Sequence, residues 1–314
     1  MKVVFMGTPD FAVGTLEEIV KAGHEVAAVV TQPDKPKGRG KTLMPTPVKE
    51  AALKYEIPVY QPLKVRAEEF VKVLEGIAPD IIVVAAFGQI ISKEILELPK
   101  YGCINVHASL LPAYRGAAPI QWAVINGDKE SGVTIMQMDA GLDTGDMIDK
   151  VIVPIEKEET GGSLFDKLSI AGAKLCVKVM ADLEAGVAER IPQPEESTTP
   201  YAKMISKQMG KIDWNRPAKE IEQLVRGLNP WPSAYTSMNG KNLKIWSAEV
   251  LEESESDETQ VGQILRADKN GLLVQTKEGC LNIKELQLEG KKRMDTASFL
   301  RGYPVDAGLT LGDK

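Results

Sequence analysis

Apolar positions in the first half of the chain follow two alternating patterns. Val3 to Met6, Val26 to Val30, Asp80 to Phe87 and Gly102 to Val106 are short, nearly unbroken apolar runs, as in strands buried on both faces of a parallel sheet. Between them, Phe11 to Ala22, Pro47 to Tyr55 and Ala67 to Gly76 carry apolar residues at helical spacing, as crossover helices do. Gly132 to Met138 and Met147 to Ile155 predict two further strands, and Thr160 to Gly186 one long helix. The alternation predicts a Rossmann-like α/β domain with a mostly parallel sheet over residues 1–188.

The pattern stops at Ala188. Residues 189–206 are rich in proline, glutamate, serine and threonine and read as a linker, because they offer little apolar area to bury. A second domain is expected over 207–314. Ala218 to Leu228 predicts a helix, and Leu243 to Ala248, Val261 to Ala267, Leu272 to Thr276 and Cys280 to Leu286 are short alternating runs. Turn signals such as Asn239-Gly240, Asn270-Gly271 and Glu278-Gly279 separate some of them, which predicts a small antiparallel, OB-like β-barrel. The acidic run Glu252 to Glu258 reads as a solvated loop.

Composition sharpens this outline. With 314 residues, 43% hydrophobic and 26% charged, the chain is long enough for two ordinary globular domains. No stretch approaches the roughly 20 apolar residues of a membrane span, and the opening MKVVFMGTPD is too short for a signal peptide. Cys103, Cys176 and Cys280 lie far apart, with neither zinc spacing nor an even count. A cytoplasmic protein without metal or membrane partner is therefore expected; a monomer is the working expectation, although nothing in the sequence speaks to oligomeric state. The net charge of -6 opposes nonspecific coating of nucleic acid but leaves room for a local basic surface.

Candidate chemistry gathers at the end of the fourth run. Ligands of open α/β sheets bind beyond the carboxyl ends of the strands, and Asn105 and His107, two apart, share one face of that strand end. A lone histidine is more often structural than catalytic. Its company changes that reading: the glycine-flanked loop Gly141-Leu142-Asp143-Thr144-Gly145-Asp146 leaves another strand and brings Asp143 within reach of the same crevice. An amide, an imidazole and a carboxylate suit acyl transfer to an amine. Asn105 and protonated His107 would donate to the developing oxyanion, while Asp143 would orient the ring and accept the amine proton. Ser109 has no triad-like base and Cys103 lies within a strand, so direct transfer is expected rather than a covalent acyl-enzyme. His24, the other histidine, sits in a surface turn.

Asn105-x-His107-x-Ser109-Leu110-Leu111-Pro112, then Arg115-Gly116 and the Gly141-to-Gly145 loop, resembles the signature of folate-dependent formyltransferases. The resemblance implies that Asn105, His107 and Asp143 are catalytic, that Ser109, Leu110, Leu111 and Pro112 contact the folate, and that 10-formyltetrahydrofolate is the formyl donor. Lys35, Lys37, Arg39 and Lys41 alternate with glycine and proline just after the second strand. That insertion resembles the one with which the tRNA-acting branch grips an acceptor arm, so initiator methionyl-tRNA is the implied partner. Asn229-Pro230-Trp231-Pro232 and the triplet Lys291, Lys292 and Arg293 fit the same branch; the triplet suits tRNA phosphates or a solubilising turn equally, and Trp231 reads as a structural plug. A formyltransferase acting on an amino-sugar nucleotide, and a formyltetrahydrofolate hydrolase, remain as alternatives.

Overall fold

A computed structural model describes residues 1–37, 42–251 and 260–312. In chain order the elements begin with β1 (Lys2–Gly7), α1 (Asp10–Lys21), β2 (Glu25–Val30), β3 (Lys35–Lys37), β4 (Thr42–Met44), α2 (Pro47–Lys54), β5 (Val59–Tyr60) and α3 (Glu68–Ile77). They continue with β6 (Ile81–Ala85), α4 (Lys93–Glu97), β7 (Cys103–His107), α5 (Pro119–Ile125), β8 (Glu130–Gln137), β9 (Met147–Pro154) and α6 (Gly161–Ala185). The remainder forms α7 (Ala218–Gly227), β10 (Ala234–Met238), β11 (Lys241–Leu251), β12 (Ile264–Asp268), β13 (Gly271–Gln275), β14 (Cys280–Leu288), β15 (Met294–Asp295) and α8 (Thr296–Gly302).

The chain divides into two compact units. The first comprises 1–119, 130–154 and 165–202, and the second comprises 120–129, 155–164 and 203–314. Residues that are far apart in sequence thus belong to one unit.

In the first unit seven strands form one sheet in the order β5-β2-β1-β6-β7-β8-β9. The strands from β5 to β7 are parallel, whereas β8 and β9 run antiparallel to their neighbours. The apolar runs explain the middle of this sheet: Val3 to Met6 and Ile81, Ile82 and Val83 are completely buried. Phe11, Ala12, Leu16 and Ile19 give α1 its buried stripe, and Thr46 caps α2 by accepting from the Lys49 amide. The chain leaves β1 for β2 on one side and returns to β6 on the other. That reversal is a topological switch point, where α/β sheets form their ligand crevice. Loops at that edge are tied together: the Thr8 hydroxyl donates to the Phe87 carbonyl at 3.0 Å, and the Gln32 amide donates to the Gly88 carbonyl at 3.1 Å.

The second unit holds an antiparallel sheet in the order β10-β11-β14-β13-β12, with β15 beside β14. Met238, Leu243, Ile264, Leu272, Leu281 and Ile283 share one buried core with Val225 of α7 and Phe299 of α8. Every strand of the main path faces a common interior, as in an OB-like barrel. Trp231 does not plug this core; it is 54% exposed, because the prolines on either side hold it in a surface turn. Among the described residues no helix is long and apolar enough to cross a membrane.

Candidate active site

The last residue of β7, His107, is 6% exposed, and its ring is gripped on both sides. Nε2 lies 3.1 Å from the Tyr114 carbonyl, to which it donates. Nδ1 faces Asp143 Oδ1 at 3.7 Å, longer than a hydrogen bond. The other oxygen, Oδ2, accepts the Gly116 N–H at 2.9 Å. Asn105 lies two residues before His107 on the same strand face, half-buried. Its amide has no hydrogen-bond partner among the described residues.

Two backbone conformations make this possible. Gly116 has φ of 129°, and a β-carbon there would meet the Ala202 carbonyl at 2.7 Å, so only glycine brings this N–H to the carboxylate. Asp143 itself has φ of 57°, in the left-handed region that aspartate tolerates better than most residues. The sheet explains why the Asp143 loop is unusual. Because β8 is antiparallel, Gln137 at its end pairs with Ile104 and Thr134 pairs with His107. The loop therefore departs near the start of β7 and has to fold back to bring Asp143 to His107.

The turn after β7 is held from beneath. Thr134, completely buried, donates its hydroxyl to the Ser109 carbonyl at 2.7 Å and accepts the Leu111 N–H at 3.1 Å. Ser109 is itself buried, and its hydroxyl donates to the Ala113 carbonyl at 2.6 Å. Leu111 packs with Met136 and Met147. The side chains of Ser109 and Leu111 thus build the turn, and those of Leu110 and Pro112 are half-buried. Arg115 is equally committed: its guanidinium donates to Gln193 Oε1 and to the Pro194 and Glu195 carbonyls. Residues 193–199, within the stretch read as a linker, lie along this site. Ser197 donates to the Pro112 carbonyl, Thr199 accepts the Tyr114 N–H, and the Gln193 amide donates to the carbonyls of Asp143 and Gly145.

No cysteine is placed for nucleophilic work. All three are buried, and burial pushes the thiols of Cys103 and Cys176 up to about 12. His24 instead takes a hydrogen bond at Nδ1 from the N-terminal ammonium at 3.2 Å, and burial together with that charge lowers its pKa.

The basic residues have different settings. Lys35 is exposed on β3, which pairs antiparallel with β4. Lys37 ends β3, and Arg39 and Lys41 lie outside the described residues. The residue before β3 is fastened: Lys49 donates to Asp34 at 2.7 Å and to Gln61 at 2.8 Å, and Gln61 donates to Asp34 at 2.6 Å. In the second unit Lys291, Lys292 and Arg293 are all exposed. Arg293 is pinned by an ion pair with Glu285 and stacks 4.6 Å over the Trp246 ring.

Comparison with known proteins fixes the class that this fold and site represent. Residues 1–180 match the formyl transferase family, and 204–304 match the formyl transferase C-terminal domain. A methionyl-tRNA formyltransferase of Agathobacter rectalis is 62% identical over 98% of this chain and 98% of its own. Among solved structures, the sugar 3N-formyl transferase WlaRD, crystallised with dTDP and 5-N-formyl-THF, gives a TM-score of 0.67 at 22% identity, covering 93% of this chain and 99% of that one. HypX of Aquifex aeolicus in complex with tetrahydrofolic acid gives 0.61 at 17% identity over 96% of this chain, which spans only 47% of that larger protein. At these identities the two structures speak for the fold alone. The chain belongs to the formyl transferase family and, within it, to the enzymes named methionyl-tRNA formyltransferases.

Proposed function

We propose that the protein transfers the formyl group of 10-formyltetrahydrofolate to the free amino group of methionyl initiator tRNA. One observation carries the reading. A histidine and a carboxylate meet at 3.7 Å at the strand end that also presents an amide without a partner among the described residues, in a chain whose full-length relative bears that name. The carboxyl edge suits a folate: its loops expose Ile90 and Leu142 to apolar contact, and Leu110 and Pro112 of the turn add to that contact, with Ser109 and Leu111 shaping the turn that presents them.

In this mechanism Asn105 donates its amide N–H to the oxyanion that forms as the amine attacks the formyl carbon. His107, protonated at Nδ1, adds positive charge beside it. Two such groups, fixed before reaction in a site poor in water, do more than mobile solvent dipoles; one fixed donor is typically worth about 100 to 1,000-fold in rate. Asp143 accepts the proton that the amine loses. His107 gives its proton to N10 as the bond from formyl carbon to N10 breaks and its electron pair goes to that nitrogen, and the proton held by Asp143 then passes to the imidazole, restoring both groups. Lys35, Lys37, Arg39 and Lys41 supply positive charge for the acceptor arm, and Lys291 and Lys292 do so for a second stretch of backbone. Arg293, already stacked and paired, contributes mainly by shaping that surface.

The test is formyl transfer from labelled 10-formyltetrahydrofolate to initiator methionyl-tRNA, elongator methionyl-tRNA, amino-sugar nucleotides and water. The proposal requires the first acceptor to dominate. Faster transfer to an amino sugar, or hydrolysis without an acceptor, would overturn it.

A further inference from the structure

Gln193 is the half-buried residue at the start of an otherwise mostly exposed segment, and every polar atom of its side chain is engaged. Its Nε2 donates to the Asp143 carbonyl at 2.9 Å and to the Gly145 carbonyl at 2.7 Å. Its Oε1 accepts Arg115 Nε at 3.0 Å. The partners dictate which way the amide points: two carbonyls can only accept, and a guanidinium can only donate. Glutamine is the common side chain that meets all three at this length.

The two segments it joins carry the two halves of the site. One is the Asp143 loop. The other is the Tyr114-to-Gly116 turn, whose Tyr114 carbonyl accepts from His107 and whose Gly116 N–H donates to the Asp143 carboxylate. Asp143 sits at a left-handed φ of 57°, a conformation that persists in a non-glycine residue when its surroundings hold it. It does so on a loop that folds back from the far end of β8. We infer that Gln193 is a positioning residue: by clamping the Asp143 carbonyl to Arg115, it sets the separation between the Asp143 carboxylate and His107. The inference rests on the catalytic reading of those two residues and adds a third that touches neither substrate.

The decisive comparison uses Gln193→Glu, which keeps the length and the acceptor for Arg115 but turns two donated hydrogen bonds into repulsion between oxygens. Gln193→Met, which removes both functions without adding charge, is the second variant. In the full-length enzyme, kcat should fall by about 10-fold or more in each, while KM for folate and for methionyl-tRNA stays within about threefold. A residue that merely supports the fold would instead lower the melting temperature and the amount of active enzyme, leaving kcat per active site alone. The same substitution should cost little further activity in an Asp143→Asn background, because both act through one carboxylate. Wild-type kcat in both Gln193 variants, or losses that multiply in the double variant, would overturn the inference and leave the catalytic assignment of Asp143 standing. Wild-type kcat in Asp143→Asn would overturn that assignment and this inference with it.

Discussion

The turn after β7 and the basic triplet of the second unit answer opposite physical demands. Around His107 nearly every polar group is spoken for: Thr134, Ser109, Tyr114, Arg115 and Gln193 each satisfy a named backbone or side-chain partner. The side chains of Lys291 and Lys292 stand exposed with no ion pair among the described residues, while that of Arg293 is paired with Glu285. Chemistry at one carbon gains from donors fixed in advance, since errors of about 1 Å can lose roughly 100-fold in rate. Attraction of a phosphate backbone needs charge at moderate range and tolerates mobility. On the proposed function, the side chains held by most partners are those beside the reacting atoms, and the two exposed lysines are where charge alone is asked for.

Substitutions should break this contrast to different extents. The largest effect is expected for Asn105→Ala, which removes the proposed oxyanion donor without breaking any side-chain hydrogen bond among the described residues. A loss of about 100-fold or more in kcat with an unchanged melting temperature is expected in steady-state assays. Thr134→Val should act on stability instead. It strands the Ser109 carbonyl and the Leu111 N–H in a buried place, and denaturant titration should show about 2 kcal/mol lost. Lys291→Ala with Lys292→Ala should spare both kcat and stability and raise KM for tRNA severalfold. The salt dependence of that KM should flatten by about one unit of slope for each lysine that neutralises a phosphate. An unchanged slope would remove this surface from the tRNA footprint.

The smallest effect concerns pH. Hydrogen bonds from Lys49 and Gln61 hold the Asp34 carboxyl below its ordinary value of 3.8. A carboxyl whose folded pKa is depressed stabilises the fold above its unfolded value, and this contribution disappears as pH falls through the folded one. The difference in stability between wild type and Asp34→Asn should therefore be present at neutral pH and shrink below about pH 4. The group is solvated, so the difference should be small and sensitive to salt.

Much of the first unit was legible because its strands are buried on both faces. Ile81–Ala85 leaves no alternative to a central strand, and the α1 stripe of Phe11, Leu16 and Ile19 is set by local spacing. β5, with two residues, carries no periodicity, and β8 differs from a parallel strand only in its pairing, which local pattern does not encode. The same distinction separates what the site revealed from what it hid. Asn105, His107 and Asp143 stand out by residue type and by the glycines around them. Thr134 left one trace, a hydroxyl in an apolar run. Gln193 left none: its partner Asp143 is 50 positions earlier, and its own neighbours resemble any exposed proline-rich segment. Trp231 misled because a large aromatic between prolines suggests burial, whereas the turn puts it in solvent.

The most direct test of the account is a rapid-quench measurement of a single turnover by His107→Ala, in which enzyme already saturated with 10-formyltetrahydrofolate is mixed with initiator methionyl-tRNA at time zero. If the imidazole at the end of β7 acts on the reacting carbon, the transfer rate should drop by at least about 100-fold while the folate dissociation constant barely changes. Transfer at the wild-type rate in that variant would place the chemistry elsewhere in the molecule.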